Sequence, residues 1–431
     1  MPFKLPVLVR VFVVFVLILF LNRRRVPFFL CLFFGAFLLG LWMRLRPAPL
    51  LLMILKDITS SQSLWLASII AAILTLSNLL ERAGQLSRIV KAFDRLSHSR
   101  KFTTLAMPAL IGLLPMPAGA LVSAPMVQES YPRRGRDPEL KAAINYWFRH
   151  LWEYWWPLYP GVILAISLLQ VETWRFVLAQ MPLTAGAITG GLIFIARHIP
   201  KGEGDPPEGG RKGAFLEFLR ETMPIVIILI FLFGFQALQH LLHLQIPFAP
   251  PKYLGFALGL LASILWVMRK NRLGRGDLLS SLLKPSVPQM AMVIFGIMAF
   301  KGMLVKSAAV EMMRQELSLY RIPPLLIIAF LPFVAGLVTG AAIGFVGTTF
   351  PLVISLIHPS TPGGIIPYGL LAYGFGYMGM MLTPLHLCFL VSKDFFQADL
   401  MRIYRYLWRP ALLILSLTTI LFFLYRSILI P

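Results

Sequence analysis

The chain has 431 residues, of which 58% are hydrophobic and only 13% charged, and its formal net charge is +22. That composition excludes a soluble globular enzyme or binding domain and defines a polytopic membrane protein, since many apolar stretches can cross a hydrocarbon core of roughly 30 Å. The positive charge does not point to nucleic acid. It falls in short runs between apolar stretches, such as "NRRR" (22–25), "YPRRGR" (131–136) and "MRKNRLGR" (268–275), the pattern that orients membrane proteins.

In chain order, spans are predicted at 5–21, 26–43, 61–80, 142–170, 174–196, 221–243, 252–268, 286–306, 363–391 and 409–428. The first is followed at once by Arg23, Arg24 and Arg25 with no small-residue cleavage site, so it reads as a retained span. Regions 102–127 and 322–357 fit no plain helix, being interrupted by Pro, Gly, Ser and Thr. With the arginine-rich segments placed in the cytoplasm, the first region enters and leaves from inside and the second from outside. Both then read as re-entrant hairpins that face each other.

The second half echoes the first. "WPLYP" (156–160) follows the first hairpin, and "TPLHL" (383–387) follows the second. A span with a polar interruption precedes each hairpin, "LTLSNLLERAG" (74–84) and "MAFKGMLVKSA" (298–308), and before those lie the short interfacial segments "APLLLMILK" (48–56) and "GDLLSSLLK" (276–284). The expected organisation is an inverted repeat, with residues 1–200 as one unit, a cytoplasmic linker at 201–214 and residues 215–431 as the second.

Broken helices at membrane depth point to function, because an unpaired N–H or C=O in hydrocarbon costs several kcal/mol. In "LLPMPAGALVSAPMV" (113–127), Pro115, Pro117 and Pro125 each remove a donor, and Gly119 permits a close approach. Ser123 lies on the same arm. In "GLVTGAAIGFVGTTFP" (336–351), Thr339, Gly340, Thr348 and Thr349 supply the matching tip. The bland reading of Gly336, Gly340 and Gly344 is close helix packing through small residues.

Ionisable residues in spans come next. Lys301 stands in "IMAFKGML", opposite Ser77 and Asn78 in the repeat, and is expected to attract an anion; its bland reading is an ion pair with Glu153. In "NYWFRHLWEYWWPLYPG" (145–161), Asn145, Arg149 and Glu153 share a helix face, and His150 is adjacent. The aromatic residues there also suit an interfacial belt. Glu153, His150 and His386 are the candidate carriers of a coupling ion, with Thr383 and His386 in "TPLHL" near substrate. His240 and His243 lack a third ligand, and Cys31 and Cys388 read as buried thiols, so neither a metal centre nor a disulfide is expected.

The stretches "LLPMPAGALVSAPMV", "NYWFRHLWEYWWPLYPG" and "GYMGMMLTPLHLCFLVSKDFF", together with the order of spans over about residues 60–400, resemble a family of prokaryotic integral membrane proteins carrying a domain of unknown function. That family is grouped with the ion transporter superfamily, alongside gluconate-type permeases and divalent-anion symporters. The resemblance implies two inverted repeats with re-entrant hairpins, an anionic substrate, Na⁺ or H⁺ coupling and homodimers. The Ser-Asn-Thr hairpin motifs of sodium-coupled dicarboxylate carriers are absent, and only Ser77-Asn78 resembles them, within a span.

The reading that results is an all-α secondary transporter of a small organic anion in the cytoplasmic membrane. It is multi-pass and works by alternating access, without a cofactor beyond H⁺ or Na⁺. The alternatives are a passive channel or facilitator and, further off, a membrane enzyme acting on lipid-linked substrate. No paired-carboxylate or metal motif supports the enzyme.

Overall fold

The computed structural model describes residues 5–97, 99–116, 119–132, 137–200, 211–242, 251–357 and 364–428. Pro117, the linker segment 201–210, the arginines within 133–136, His243 and the His240 side chain lie outside the described residues. The helices in the first half are α1 (Val7–Arg23), α2 (Phe28–Trp42), α3 (Pro47–Ile58), α4 (Ser61–Arg82), α5 (Gln85–Asp94), α6 (Arg100–Ile111), α7 (Gly119–Ser130), α8 (Pro138–Arg149), α9 (Pro160–Leu169) and α10 (Thr173–Phe194). The second half carries α11 (Arg211–Leu242), α12 (Pro251–Lys270), α13 (Arg275–Leu282), α14 (Ser286–Lys306), α15 (Ala309–Leu319), α16 (Pro324–Thr339), α17 (Ala342–Leu356), α18 (Ile365–Leu382), α19 (Leu387–Phe396) and α20 (Leu400–Ile428).

The same succession of helices occurs in both halves, and packing crosses between them in matched pairs. α2 packs on α14 and α12 on α4; α3 on α14 and α13 on α4; α7 on α19 and α17 on α9. Helix ends are set by local chemistry. Pro27, Pro160 and Pro324 stand at or beside helix starts, where a missing N–H costs nothing. Asp137 caps α8 by accepting the Leu140 N–H at 2.9 Å. Glu316 of α15 accepts both the Val7 and Leu8 N–H groups at 2.7 Å, satisfying the start of α1.

Long apolar helices such as α4, α10, α12 and α14 have the length and composition to cross a membrane. Large apolar side chains on outer faces, among them Phe12, Ile230 and Phe423, are exposed, as suits contact with lipid. The α6–α7 and α16–α17 pairs are shorter. At 12 residues, α6 extends about 18 Å. Each arm of each pair carries one internal proline: Pro108, Pro125, Pro332 and Pro351. α16 lies on α18 along a seam of small residues, where a Cβ on Gly336 would strike the Gly376 carbonyl and one on Gly379 the Phe333 carbonyl. The close-packing reading of Gly336 therefore holds.

Three expectations are corrected. The predicted span 142–170 is two short helices, α8 and α9, joined by a non-helical segment at 150–159. The span 363–391 is likewise divided into α18 and α19, with residues 383–386 between them. Conversely, the polar interruptions around Ser77-Asn78 and Lys301 interrupt nothing, since α4 and α14 run through them as continuous helices of 22 and 21 residues. Two amphipathic helices, α5 and α15, had no counterpart in the sequence reading.

Candidate functional site

The two divided helices meet, and their breaks bring together Arg149, His150, Glu153 and His386, all buried. Open backbone at such a break needs partners, and remote side chains supply them. The Tyr377 hydroxyl donates to the His150 carbonyl at 2.7 Å, Tyr373 to the Glu153 carbonyl at 2.8 Å, and Thr184 to the Leu151 carbonyl at 2.6 Å. At the end of α18, Tyr146 and Tyr404 donate to the Met381 and Leu382 carbonyls at 3.0 and 2.9 Å.

Arg149 is 2% exposed and ties three parts together. Its Nη1 donates to Glu153 Oε1 at 3.3 Å and its Nη2 to the Met116 carbonyl at the tip of the first hairpin at 3.2 Å. Among the described residues its Nε is buried without a hydrogen-bond partner. Gly119 explains itself here, because a Cβ at that position would collide with the guanidinium. The same crossover fastens the end of α6 by three further donors. Trp152 donates to the Ala109 carbonyl and Trp156 to the Leu113 carbonyl, each at 2.8 Å, and the Tyr159 hydroxyl to the Gly112 carbonyl at 2.6 Å. These are the carbonyls that a helix end leaves unpaired.

His386, just before α19, reaches the second hairpin. Its Nδ1 lies 2.7 Å from the carbonyl of Gly340, which ends α16 in the left-handed conformation at φ +61°. Its Nε2 lies 3.0 Å from His150 Nε2, and His150 Nδ1 lies 2.6 Å from the Tyr146 carbonyl. His150 Nε2 is 3.8 Å from Glu153 Oε1. His386 and Tyr159 occupy the same place in "TPLHL" and "WPLYP", and each bonds the glycine carbonyl that closes the first arm of its own hairpin.

Ser123 and Asn145 join this core as a polar link. Ser123 Oγ is 2.6 Å from Asn145 Oδ1, and Asn145 Nδ2 donates to the Ala120 carbonyl at 3.0 Å and to Ser392 Oγ at 2.9 Å. Ser392, Tyr146, Tyr373 and Tyr377 were not foreseen. Each contacts a partner remote in sequence, and no local pattern marks it.

Other expected residues lie elsewhere or are otherwise occupied. Asn78 donates to the Ser281 carbonyl at 3.0 Å, joining α4 to α13, and Ser77 is buried on the same helix. Thr339, Thr348 and Thr349 bond back to carbonyls of their own helices at 2.7 Å, and Thr383 Oγ1 accepts the Leu385 N–H at 3.2 Å. Lys301 does not join the cluster among the described residues. The acidic group near it is Asp57, whose Oδ1 already accepts from Lys306 at 2.6 Å. The alternative pairing of Lys301 with Glu153 is replaced by Arg149–Glu153.

Cys31 and Cys388 are both buried and free. Cys388 Sγ and the His150 and His386 ring nitrogens lie within 4.8 Å of one another. Two nitrogens on one tetrahedral zinc at 2.0–2.1 Å stand about 3.3 Å apart, somewhat wider than the His150–His386 pair. The 3.0 Å contact is a hydrogen-bond distance. A separate groove of about 770 Å³ between α1 and α16 is lined by apolar residues such as Phe12, Phe15, Phe330 and Val334, and by Arg23 at one end. It lies apart from the buried charges.

Divided helices, short paired helices and a buried charged core make up an all-α polytopic membrane protein. The molecule is similar to the crystal structure of the Alcanivorax borkumensis YdaH transporter, with a TM-score of 0.61 at 14% identity over 89% of this chain and 90% of that one. The chain belongs to the family described as "Protein of unknown function (DUF401)", which matches residues 4–426. A comparison with curated proteins finds no match.

Proposed function

We propose that the protein is a secondary active transporter of a small organic anion, working by alternating access and coupled to a cation. The observation that carries this reading is the buried Arg149, with one guanidinium nitrogen unpartnered beside the Gly119 start of α7. A buried donor on a cation lacks its full set of acceptors, and an anionic oxygen is the ligand that supplies one. The α7 start adds the positive end of a helix dipole, and α19 begins at His386 in the same core. Glu153, His150 and His386 are the groups able to bind the coupling cation. Lys301 is not assigned to the anion site.

The two ten-helix successions are taken as oppositely oriented repeats, with α6–α7 and α16–α17 as re-entrant hairpins entering from opposite faces of the cytoplasmic membrane. The matched exchange of packing pairs between halves supports this arrangement. The gluconate-type likeness of the sequence makes carboxylates and sugar acids the first substrates to try.

The test uses purified protein in proteoliposomes, offered labelled gluconate, lactate and succinate under an inward proton or sodium gradient. Accumulation above equilibrium, lost with an ionophore and in Arg149→Gln, is expected. Equilibration without accumulation would identify a passive facilitator. Uptake undiminished in Arg149→Gln would remove Arg149 from the anion site.

A further inference from the structure

We infer that a single proton, held between His150 Nε2 and His386 Nε2, latches the second hairpin to the first half of the molecule, and that its loss releases that hairpin. The inference rests on the transport reading and makes the proton the coupling cation. The argument is one of donors and acceptors. A carbonyl oxygen only accepts, so His150 Nδ1 must carry the hydrogen it donates to Tyr146, and His386 Nδ1 the one it donates to Gly340. A neutral imidazole has only one N–H. With both rings neutral, the two Nε2 atoms would face each other as bare lone pairs at 3.0 Å and repel. The contact is attractive only when one ring is an imidazolium donating to the other.

Of the neighbours, the Glu153 carboxylate favours an added positive charge on the pair, while burial and the Arg149 guanidinium oppose it. Glu153 faces His150 Nε2 at 3.8 Å and is itself held by Arg149. Cys388 on α19 and the phenols of Tyr146, Tyr154, Tyr159, Tyr373, Tyr377 and Tyr404 are further titratable groups around the core. The Tyr146 ring lies 4.9 Å from the His150 ring and 5.6 Å from that of His386, and Phe389 closes the apolar side at 5.0 Å from Tyr146. With the thiol and phenols neutral, Arg149 and Glu153 cancel. The shared proton then leaves the core with one net positive charge, which one singly charged anion offsets. That ties proton binding to anion binding through simple neutrality.

The mechanical consequence follows from the chain of contacts. Among the described hydrogen bonds, His386 is the side chain that joins the Gly340 carbonyl to the other half. When the proton leaves, the two rings separate, and Gly340 at the turn between α16 and α17 loses its hydrogen-bonded tie to the first half, leaving packing such as that of α17 on α9.

The experiment is hydrogen–deuterium exchange of the full-length protein in lipid nanodiscs, without substrate, from about pH 5 to pH 9 and corrected for the intrinsic rate. Peptides over α16–α17 should lose protection as pH rises, on the order of tenfold, while those over α6–α7 hold theirs. The pH-dependent step should vanish in both His150→Gln and His386→Gln, each first checked for retained α6–α7 protection. A wild-type second hairpin whose protection is the same across the range would overturn the inference whether or not the variants fold. So would a step that survives in either histidine variant, one that vanishes only in Glu153→Gln, or protection raised by zinc and removed by EDTA. Because no substrate is present, failure here leaves the transport reading standing, and failed uptake leaves the latch standing.

Discussion

The first hairpin is fastened at the end of α6 by Arg149, Trp152, Trp156 and Tyr159, all from the crossover that follows it in sequence. At the corresponding place the second has, among the described residues, one hydrogen bond from a side chain outside the hairpin, that of His386. The equivalent hydrogen bonds from Tyr159 and His386 make the contrast sharper, because position and acceptor are the same and only the donor differs. A phenol and three further donors make a permanent joint. An imidazole whose far nitrogen depends on a second imidazole makes a reversible one. Two halves with the same succession of helices thus divide, by the latch inferred above, into an anchored half and a releasable half through a few side-chain choices.

The comparison can be broken at its strongest point first. Arg149→Met strands the buried Glu153 carboxylate and should cost about 3–5 kcal/mol, read as an earlier thermal unfolding in detergent. Adding Glu153→Leu should recover part of that loss, and unfolding no earlier than in His386→Gln would deny that the first hairpin has the firmer anchor. Gly112→Ala comes next. Its Cβ would strike the Arg149 carbonyl, so the joint must shift, at about 1–3 kcal/mol. Trp156→Phe leaves the Leu113 carbonyl without its indole donor and should cost about 1–2 kcal/mol, by the same amount at every pH from mildly acid to neutral. A pH-dependent loss would erase the distinction between the two joints.

The smallest effect serves as a control away from both hairpins. Burial pushes the Asp137 carboxyl up, but hydrogen bonds from Tyr406 and the Leu140 N–H, with the nearby Arg405, outweigh it and hold the group below its usual range. A lowered folded value means that its contribution is present above the unfolded value and lost as pH falls through the folded one. Asp137→Asn should therefore flatten the acid limb of the stability profile, at a cost under about 1 kcal/mol near neutrality, where the asparagine still caps α8. An unchanged acid limb would show that Asp137 is not among the groups that set it.

Much of this was legible in the sequence because proline and glycine act locally. "LLPMPAG" and "GLVTG" mark the ends of α6 and α16 without any knowledge of neighbours. The divisions of α8–α9 and α18–α19 were harder to read. Their segments stay apolar throughout, and what stabilises the open backbone is a tyrosine or threonine far away in the chain. Arg149, His150, Glu153 and His386 were each identifiable as ionisable residues in apolar runs. Their meeting was not, since His150 and His386 are 236 residues apart and no periodicity connects them. For Lys301 the surroundings were hidden for the same reason. Inside an apolar run it looks central, yet its acidic neighbour, Asp57, comes from a short amphipathic helix that only folding brings beside it.

The glycine seam between α16 and α18 sets how closely the second hairpin lies on its neighbour. Where Gly336 and Gly379 set main chain directly against main chain, no side chain interlocks across the contact. Contact this close leaves no room for a methyl group at either position, so a larger residue there would push α16 off α18.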